Sequence, residues 1–174
     1  MSEGAEADLL VDARVLLNAL ARHGWYLGTA ESLTGGMVGQ TITAVPGASV
    51  SYAGGVISYV DREKTALLGV PAGMLKERGA VSAEVAEAMA RGCRKKLNVQ
   101  VGLATTGVAG PTSDDRGTPV GTLFVACATP TAHMVERLML DGDRYHIRVE
   151  STRAALRLAI RLIECALRGV EEAG

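Results

Sequence analysis

Residues 29–36, Thr-Ala-Glu-Ser-Leu-Thr-Gly-Gly, bring a carboxylate, three hydroxyls and two glycines together in one short stretch. The stretch lies between an apolar segment, 25–30, and an amphipathic one, 37–45, which is typical of a strand, a tight turn and a helix. The hydroxyl of Ser32 and the free N–H groups of a helix N-terminus could bind an anion there, and glycines would let a ligand approach the backbone. A helix cap with glycines for close packing is the structural alternative.

Other polar residues also lie beside glycines at the ends of predicted elements. Ligands of open α/β sheets bind at strand ends near helix N-termini, so these residues are candidates for the same site. They are Ser49, Tyr59, Lys64, Thr105, Thr106 and Arg144.

Several standard sites find no support in the sequence. There is no GxGxxG or GxxxxGK[ST] motif for a dinucleotide or a P-loop. Ser32 is not in a GxSxG motif and all three histidines are distant in sequence, so a Ser-His-Asp triad is unsupported. The cysteines, Cys93, Cys127 and Cys165, form no CxxC pair or Cys/His cluster. We interpret them as reduced core thiols rather than disulfides or zinc ligands.

Composition excludes further classes of function. Only six of the 174 residues are aromatic and the net charge is −1, so neither a stacking platform nor a basic surface for nucleic acid is expected. No signal peptide and no apolar run long enough to span a bilayer can be found. We therefore expect a cytoplasmic protein without nucleic-acid or membrane partners.

The pattern of apolar residues predicts alternating helices and strands. Helices are predicted over 8–24, 33–44, 61–69, 71–78, 83–97 and from 143 onwards, and strands over 25–30, 51–60, 99–105, 120–128 and 133–140. Because no helix separates the last strands, the sheet is predicted to be mixed. The prediction is a single α/β domain over 1–174, a three-layer α/β/α sandwich with a mixed sheet, a flexible lead-in over 1–6 and an exposed edge strand over 133–140.

Five motifs, in this order and spacing, resemble the C-terminal domain of the CinA (competence/damage-inducible) family. The resemblance covers nearly the whole chain, and five motifs in register are far more specific than any one of them. The motifs are 30–36, Gly54-Gly55 with Tyr59 and Lys64, 79–82, 106–111 and 119–122.

The resemblance implies a nicotinamide mononucleotide amidohydrolase, which converts the nucleotide's carboxamide to nicotinic acid mononucleotide and ammonia in pyridine-nucleotide salvage. It implies a Ser-Lys dyad at Ser32 and Lys64, no metal or organic cofactor, and a homodimer or higher homo-oligomer. The extra N-terminal domain of full-length CinA is absent from this sequence, so the stand-alone form is expected. The other readings are a non-catalytic nucleotide-binding or regulatory domain that keeps the fold, and an enzyme for a related amide.

The dyad has a chemical requirement. A serine hydroxyl needs a base to take its proton, and an amine serves only when it is neutral, so the pKa of Lys64 must be lowered. A helix N-terminus under Ser32 would supply part of the field. Tyr59 is expected to position Lys64 or relay its proton, and Ser49, with nearby N–H groups, to polarise the oxyanion.

The remaining site residues are expected to contact substrate. Arg144 matches the family's Gly-Asp-Arg motif and is the candidate for the phosphate, with Arg148 as its competitor. Glu31 is left open between a partner of the site and a cap. The other expected contacts are Thr34, Gly35, Gly36, Thr106 and Gly107.

Two segments depart from the family pattern. The loop 112–118 replaces a Gly-Gly pair and a lysine, and it is expected to border the pocket and to alter nucleotide affinity. Residues 60–63, Val-Asp-Arg-Glu, replace small polar residues and are expected to change how Lys64 is held.

Overall fold

The computed structural model describes the backbone of residues 3–171 and the side chains of 7–166. The helices are α1 (Glu3–His23), α2 (Met37–Thr43), α3 (Asp61–Leu68), α4 (Ala72–Arg78), α5 (Ala83–Leu97) and α6 (Arg144–Glu171). The strands are β1 (Leu27–Glu31), β2 (Tyr52–Ile57), β3 (Val101–Gly107), β4 (Thr122–Ala128) and β5 (His133–Met139), and a short 3-10 helix, Ala48–Val50, precedes β2.

The five strands form one sheet in the order β2-β1-β3-β4-β5. β1 pairs in parallel with both β2 and β3, whereas β4 pairs antiparallel with β3 and β5. The mixed sheet is confirmed, and its cause is that no helix lies between β3, β4 and β5. β5 is the half-exposed edge strand that its alternating pattern predicts.

Helices cover both faces of the sheet, which confirms the three-layer sandwich. α1, α2 and α6 bury one apolar core, which includes Leu16, Leu20, Ile42 and Ile147. α3, α4 and α5 bury a second core around Met89 on the other face. The side chain of Ser82 caps α5 by accepting a hydrogen bond from Val85 N at 3.4 Å, as its position predicts.

The helix predicted over 33–44 is wrong in its first turn. Residues 32–36 form a turn, and α2 begins only at Met37. Gly35 and Gly36 have φ angles of +58° and +99°, which a right-handed helix cannot contain. Ser32 therefore does not open a helix. The predicted helix cap Asp61 is likewise the first residue of α3, and the N-cap is Val60.

The cysteine prediction holds for two of the three residues. Cys93 and Cys127 are buried, and burial raises the pKa of each thiol to about 12, so both are unreactive. Cys165 is exposed, because it lies on the outer side of α6.

Residues 1 and 2 of the flexible lead-in predicted over 1–6 lie outside the described residues. The backbone from Glu3 onwards belongs to helix α1. No helix within the described range is long and apolar enough to cross a membrane.

Candidate active site

A cleft of about 250 Å³ lies where β1 and β3 end. Its lining includes six of the predicted site residues, drawn from four separate stretches of sequence. They are Ser32, Tyr59, Lys64, Thr106, Gly107 and Arg144. Parallel strands place their carboxyl ends at one edge of the sheet, and this explains how such distant residues meet.

Ser32 directly follows β1 and begins the turn. Its backbone N–H donates to Thr105 O at 3.0 Å, and its carbonyl accepts from Gly35 N at 3.1 Å. Within the described residues, the Ser32 hydroxyl makes no hydrogen bond, so no direct bond joins it to Lys64. That the two groups lie one water apart stays a prediction.

The N-terminus of α2 is occupied by a side chain of the protein itself. Glu31 Oε2 accepts from Gly36 N at 2.9 Å and from Val38 N at 3.1 Å, and Glu31 Oε1 accepts from Gly39 N at 2.9 Å. These amides cannot also bind a substrate anion. The predicted anion site at this helix is therefore wrong, and neither Gly35 nor Gly36 lines the cleft.

The hydroxyl and the carbonyl of Thr34 are also bonded to other groups of the protein. Its hydroxyl donates to Glu31 Oε2 at 2.7 Å and lies 2.8 Å from Thr105 Oγ1, and its carbonyl accepts from Arg148 Nη2 at 2.6 Å. The Thr34 side chain is buried and does not line the cleft, so its position gives no support to the predicted substrate contact. Arg148 holds this turn and does not line the cleft with Arg144.

Lys64 is the largest buried polar side chain of the cleft, with an exposed fraction of 1%. Its Nζ donates to Tyr59 O at 3.3 Å and lies 3.6 Å from Asp61 Oδ1. Burial lowers the pKa of Lys64 below 10.5, and the negative charge of Asp61 offsets part of that change. A lowered pKa is what a lysine base requires. Asp61 lies three residues before Lys64 on a helix, a spacing that brings two side chains together, and this is the sequence signal for their contact.

Tyr59 contacts Lys64 through its backbone rather than its ring. Its hydroxyl accepts a hydrogen bond from Arg144 Nη2 at 2.6 Å, and Arg144 Nη1 donates to Gly110 O at 2.6 Å. The side chain of Tyr59 is 53% exposed. The geometry fits a positioning role of the Tyr59 carbonyl and offers no hydrogen bond through which the Tyr59 hydroxyl could relay the proton of Lys64.

Thr106 and Gly107 end β3 at the cleft. The Thr106 hydroxyl donates to Ala80 O at 2.7 Å and so joins β3 to the segment before α5. A Cβ atom at Gly107 would lie 2.5 Å from Leu123 Cβ, so glycine is needed here for the approach of β4.

Ser49 does not reach the cleft. It is exposed in the 3-10 helix that precedes β2. Since β2 runs parallel to β1, a residue before β2 lies at the opposite edge of the sheet from Ser32, which follows β1. The predicted oxyanion contact from Ser49 is therefore wrong within one chain, because the local sequence does not reveal strand direction.

The loop 112–118 does border the cleft, as expected, through Thr112, Ser113 and Asp114. Arg116 fastens the loop by donating to the last carbonyls of α4: Leu75 O at 3.3 Å, Glu77 O at 3.5 Å and Lys76 O. No local sequence signal points to Arg116, because its partners are backbone atoms of a distant helix.

The charged residues of the cleft are two cations, Lys64 and Arg144, and two carboxylates, Asp61 and Asp114. Among the described residues, no group of three or more His, Cys, Asp or Glu side chains is placed to hold a metal ion.

Comparison with known proteins identifies relatives. The family model of the CinA C-terminal domain matches residues 11–163. The chain is 43% identical to a "CinA-like protein" of Frankia casuarinae over 149 residues, which are 86% of this chain and 34% of the relative. It is 40% identical to a "Putative competence-damage inducible protein" of Desulforamulus reducens over 160 residues, 92% of this chain and 38% of the relative. The chain thus spans about a third of the length of these relatives.

Solved structures share the fold. A CinA superfamily protein from Klebsiella pneumoniae superimposes with a TM-score of 0.87 at 28% identity, over 90% of this chain and 98% of that one. A competence/damage inducible protein from Agrobacterium tumefaciens gives a TM-score of 0.85 at 30% identity, over 89% and 95% of the two chains.

Proposed function

The chain belongs to the CinA C-terminal domain family, and from that premise we propose that it hydrolyses the carboxamide of nicotinamide mononucleotide. The products are nicotinic acid mononucleotide and ammonia. One observation carries the proposal: a lysine with 1% exposure and a lowered pKa lines the same cleft as a serine at a strand end.

The first step joins the serine to the substrate. Neutral Lys64 Nζ takes the proton of Ser32 Oγ while that oxygen attacks the amide carbon. A C–O bond forms, and the π electrons of the carbonyl move to its oxygen. Burial disfavours the charged form of Lys64 and lowers its pKa, which is the direction that a lysine base requires.

The developing oxyanion needs a donor other than Ser49. The backbone N–H of Leu33, directly after the nucleophile, makes no hydrogen bond within the described residues, and Leu33 lines the cleft. We assign the oxyanion to this amide. A donor of this kind lowers an acyl-transfer barrier by about 3 kcal/mol.

The tetrahedral intermediate then collapses. Lys64 gives its proton to the amide nitrogen, the C–N bond breaks, and ammonia leaves an ester on Ser32. Water attacks that ester while Lys64 takes a proton from the water. When the C–O bond to Ser32 breaks, the same proton returns to Ser32 Oγ, and the lysine is neutral for the next turnover.

Arg144 is the group best suited to the nucleotide phosphate. Two hydrogen bonds, to Gly110 O and the Tyr59 hydroxyl, hold its guanidinium at the mouth of the cleft. A guanidinium has five N–H donors, so donors remain for a phosphate. The loop 112–118 forms the neighbouring wall.

A homo-oligomer is part of the proposal. β2 is an open edge of the sheet and its six residues carry no charge. Its last residue, Ile57, is exposed, as are Tyr59 and Val60 just after it. Such an edge is prone to pair with another chain, and a second copy would cover it. Light scattering on the wild type and on Ile57→Lys tests this: a monomeric wild type contradicts it.

Ammonia release from nicotinamide mononucleotide tests the function, with Ser32→Ala beside the wild type and calorimetric binding measured on both. We expect turnover by the wild type and binding without turnover by Ser32→Ala. Tight binding with no turnover by the wild type would instead favour a nucleotide-binding regulatory domain.

A further inference from the structure

We propose that Glu31 is the positioning residue of the nucleophile, because its buried carboxylate fixes the turn that carries Ser32. This inference rests on the proposed function and extends it to a residue that does not line the cleft.

Glu31 is the last residue of β1, an interior strand of the sheet, with an exposed fraction of 2%. Its carboxylate accepts four hydrogen bonds, all from residues that follow Ser32 in the chain. The donors are the Thr34 hydroxyl at 2.7 Å and the amides of Gly36, Val38 and Gly39 at 2.9, 3.1 and 2.9 Å.

This arrangement differs from an ordinary helix cap. A capping side chain belongs to the residue directly before the helix, which here is Gly36. Glu31 lies five residues earlier, so its hydrogen bonds close a ring that contains the whole Ser32 turn. No lysine or arginine of the described residues pairs with the carboxylate. The ring is therefore held by hydroxyl and amide donors that would be left unpaired if the carboxylate were lost.

A second set of bonds fastens the ring to β3. The proton of the Thr34 hydroxyl goes to Glu31, so Thr34 accepts from Thr105 Oγ1 at 2.8 Å. Thr105 O also accepts from Ser32 N at 3.0 Å. One residue of β3, next to Thr106 in the cleft, thus holds the first residue and the middle residue of the turn. The position of Ser32 Oγ is set by groups that do not touch the substrate.

Glu31→Gln is the informative variant, since it keeps the size of the side chain and places an NH₂ group against amide donors. We expect kcat to fall about 10- to 100-fold with KM changed less than about threefold, because a small displacement of a nucleophile slows the chemical step rather than binding. Thr41→Val is the matched control. It removes one hydrogen bond inside α2, from the Thr41 hydroxyl to Met37 O, on the side away from the cleft. We expect it to leave kcat unchanged.

A readout without substrate separates this inference from the proposed function. The rate at which phenylmethylsulfonyl fluoride modifies Ser32, followed by peptide mass, needs no knowledge of the natural amide. We expect Glu31→Gln to react at least about tenfold more slowly than the wild type and than Thr41→Val, at temperatures where all three are folded.

The outcomes are distinct. Labelling of wild-type Ser32 without ammonia release would refute nicotinamide mononucleotide as the substrate. The labelling rates of the variants would then still decide the role of Glu31. Equal kcat and equal labelling in Glu31→Gln and the wild type would overturn the positioning role. Equal losses of kcat and labelling rate in Glu31→Gln and Thr41→Val, in proportion to the unfolded fraction, would also overturn it. A wild-type Ser32 that is never labelled would do the same.

Discussion

The floor and the rim of the cleft are built differently. The floor, which comprises Ser32 and Lys64 together with Glu31 and Thr34 behind them, is buried, and its polar groups bond mainly to one another and to neighbouring backbone. The rim, which comprises Tyr59, Arg144 and the loop 112–118, is largely exposed and bonds mostly to backbone carbonyls. Buried networks hold fixed geometry, whereas exposed groups can be exchanged at little cost in stability. Changes in the floor should therefore lower kcat, and changes in the rim should raise KM.

The largest effect is expected for Lys64→Met in the floor. The loss of the base should lower kcat about 10³- to 10⁴-fold, while Tm rises by about 2–4 °C because a buried amine becomes a thioether. The sign follows from the lowered pKa of Lys64, since the folded wild type bears a disfavoured proton at low pH. The difference in stability should narrow as the pH rises towards 10.5. Thermal melts at several pH values check this; a lowered Tm would contradict it.

The next largest effect is expected for Asp61→Asn, which changes the pKa of Lys64 in the floor. Asp61→Asn removes the charge that raises the pKa of Lys64, so that pKa should fall further. The rise of kcat with pH should accordingly move to lower pH, as measured by ammonia release across the pH range. Glu63→Gln is the control, because Glu63 pairs with Arg62 in the same helical turn and should leave the profile in place. A shift of the Asp61→Asn profile to higher pH would refute the account of Lys64.

Two arginines allow the floor and the rim to be compared with the same substitution. Arg144→Lys should raise KM about tenfold with kcat within about twofold, because lysine cannot form a bidentate phosphate contact. Arg148→Lys should instead lower kcat, since Arg148 holds the Thr34 carbonyl of the turn. Steady-state kinetics measure both parameters. A lowered kcat for Arg144→Lys together with a raised KM for Arg148→Lys would contradict the distinction between the floor and the rim.

The smallest effect is expected for Arg116→Ala, which releases the loop 112–118 from α4. KM should rise about two- to threefold with kcat unchanged, because the loop forms a wall of the cleft but supplies no reacting group. Arg62→Ala is the matched surface control. A fall in kcat for Arg116→Ala would contradict this prediction, because the loop would then affect the chemical step as the floor does.

The sequence predicts best what local chemistry controls. α5 has the predicted bounds because Ser82 caps it and Asn98 ends it with a left-handed conformation. Ser32 and Lys64, two residues that the resemblance to the CinA family singles out, line one cleft, and their pairing as a dyad stays a prediction.

What the sequence could not supply depends on tertiary structure. Ser49 was misplaced because the direction of β2 is set by pairing across the sheet. Thr34, Gly35 and Gly36 lie outside the cleft because the turn folds back on Glu31, which bonds to Thr34 and Gly36, and the sequence does not reveal that fold-back.

The central claim is that a buried lysine with a lowered pKa serves Ser32 as its base, and the titration of Lys64 tests it most directly. NMR of protein with ¹³C-labelled lysine, assigned by the signal missing from Lys64→Met, reports that pKa. We predict that Lys64 titrates below 10.5, the ordinary pKa of a lysine side chain. A Lys64 that titrates at 10.5 or above would contradict the account.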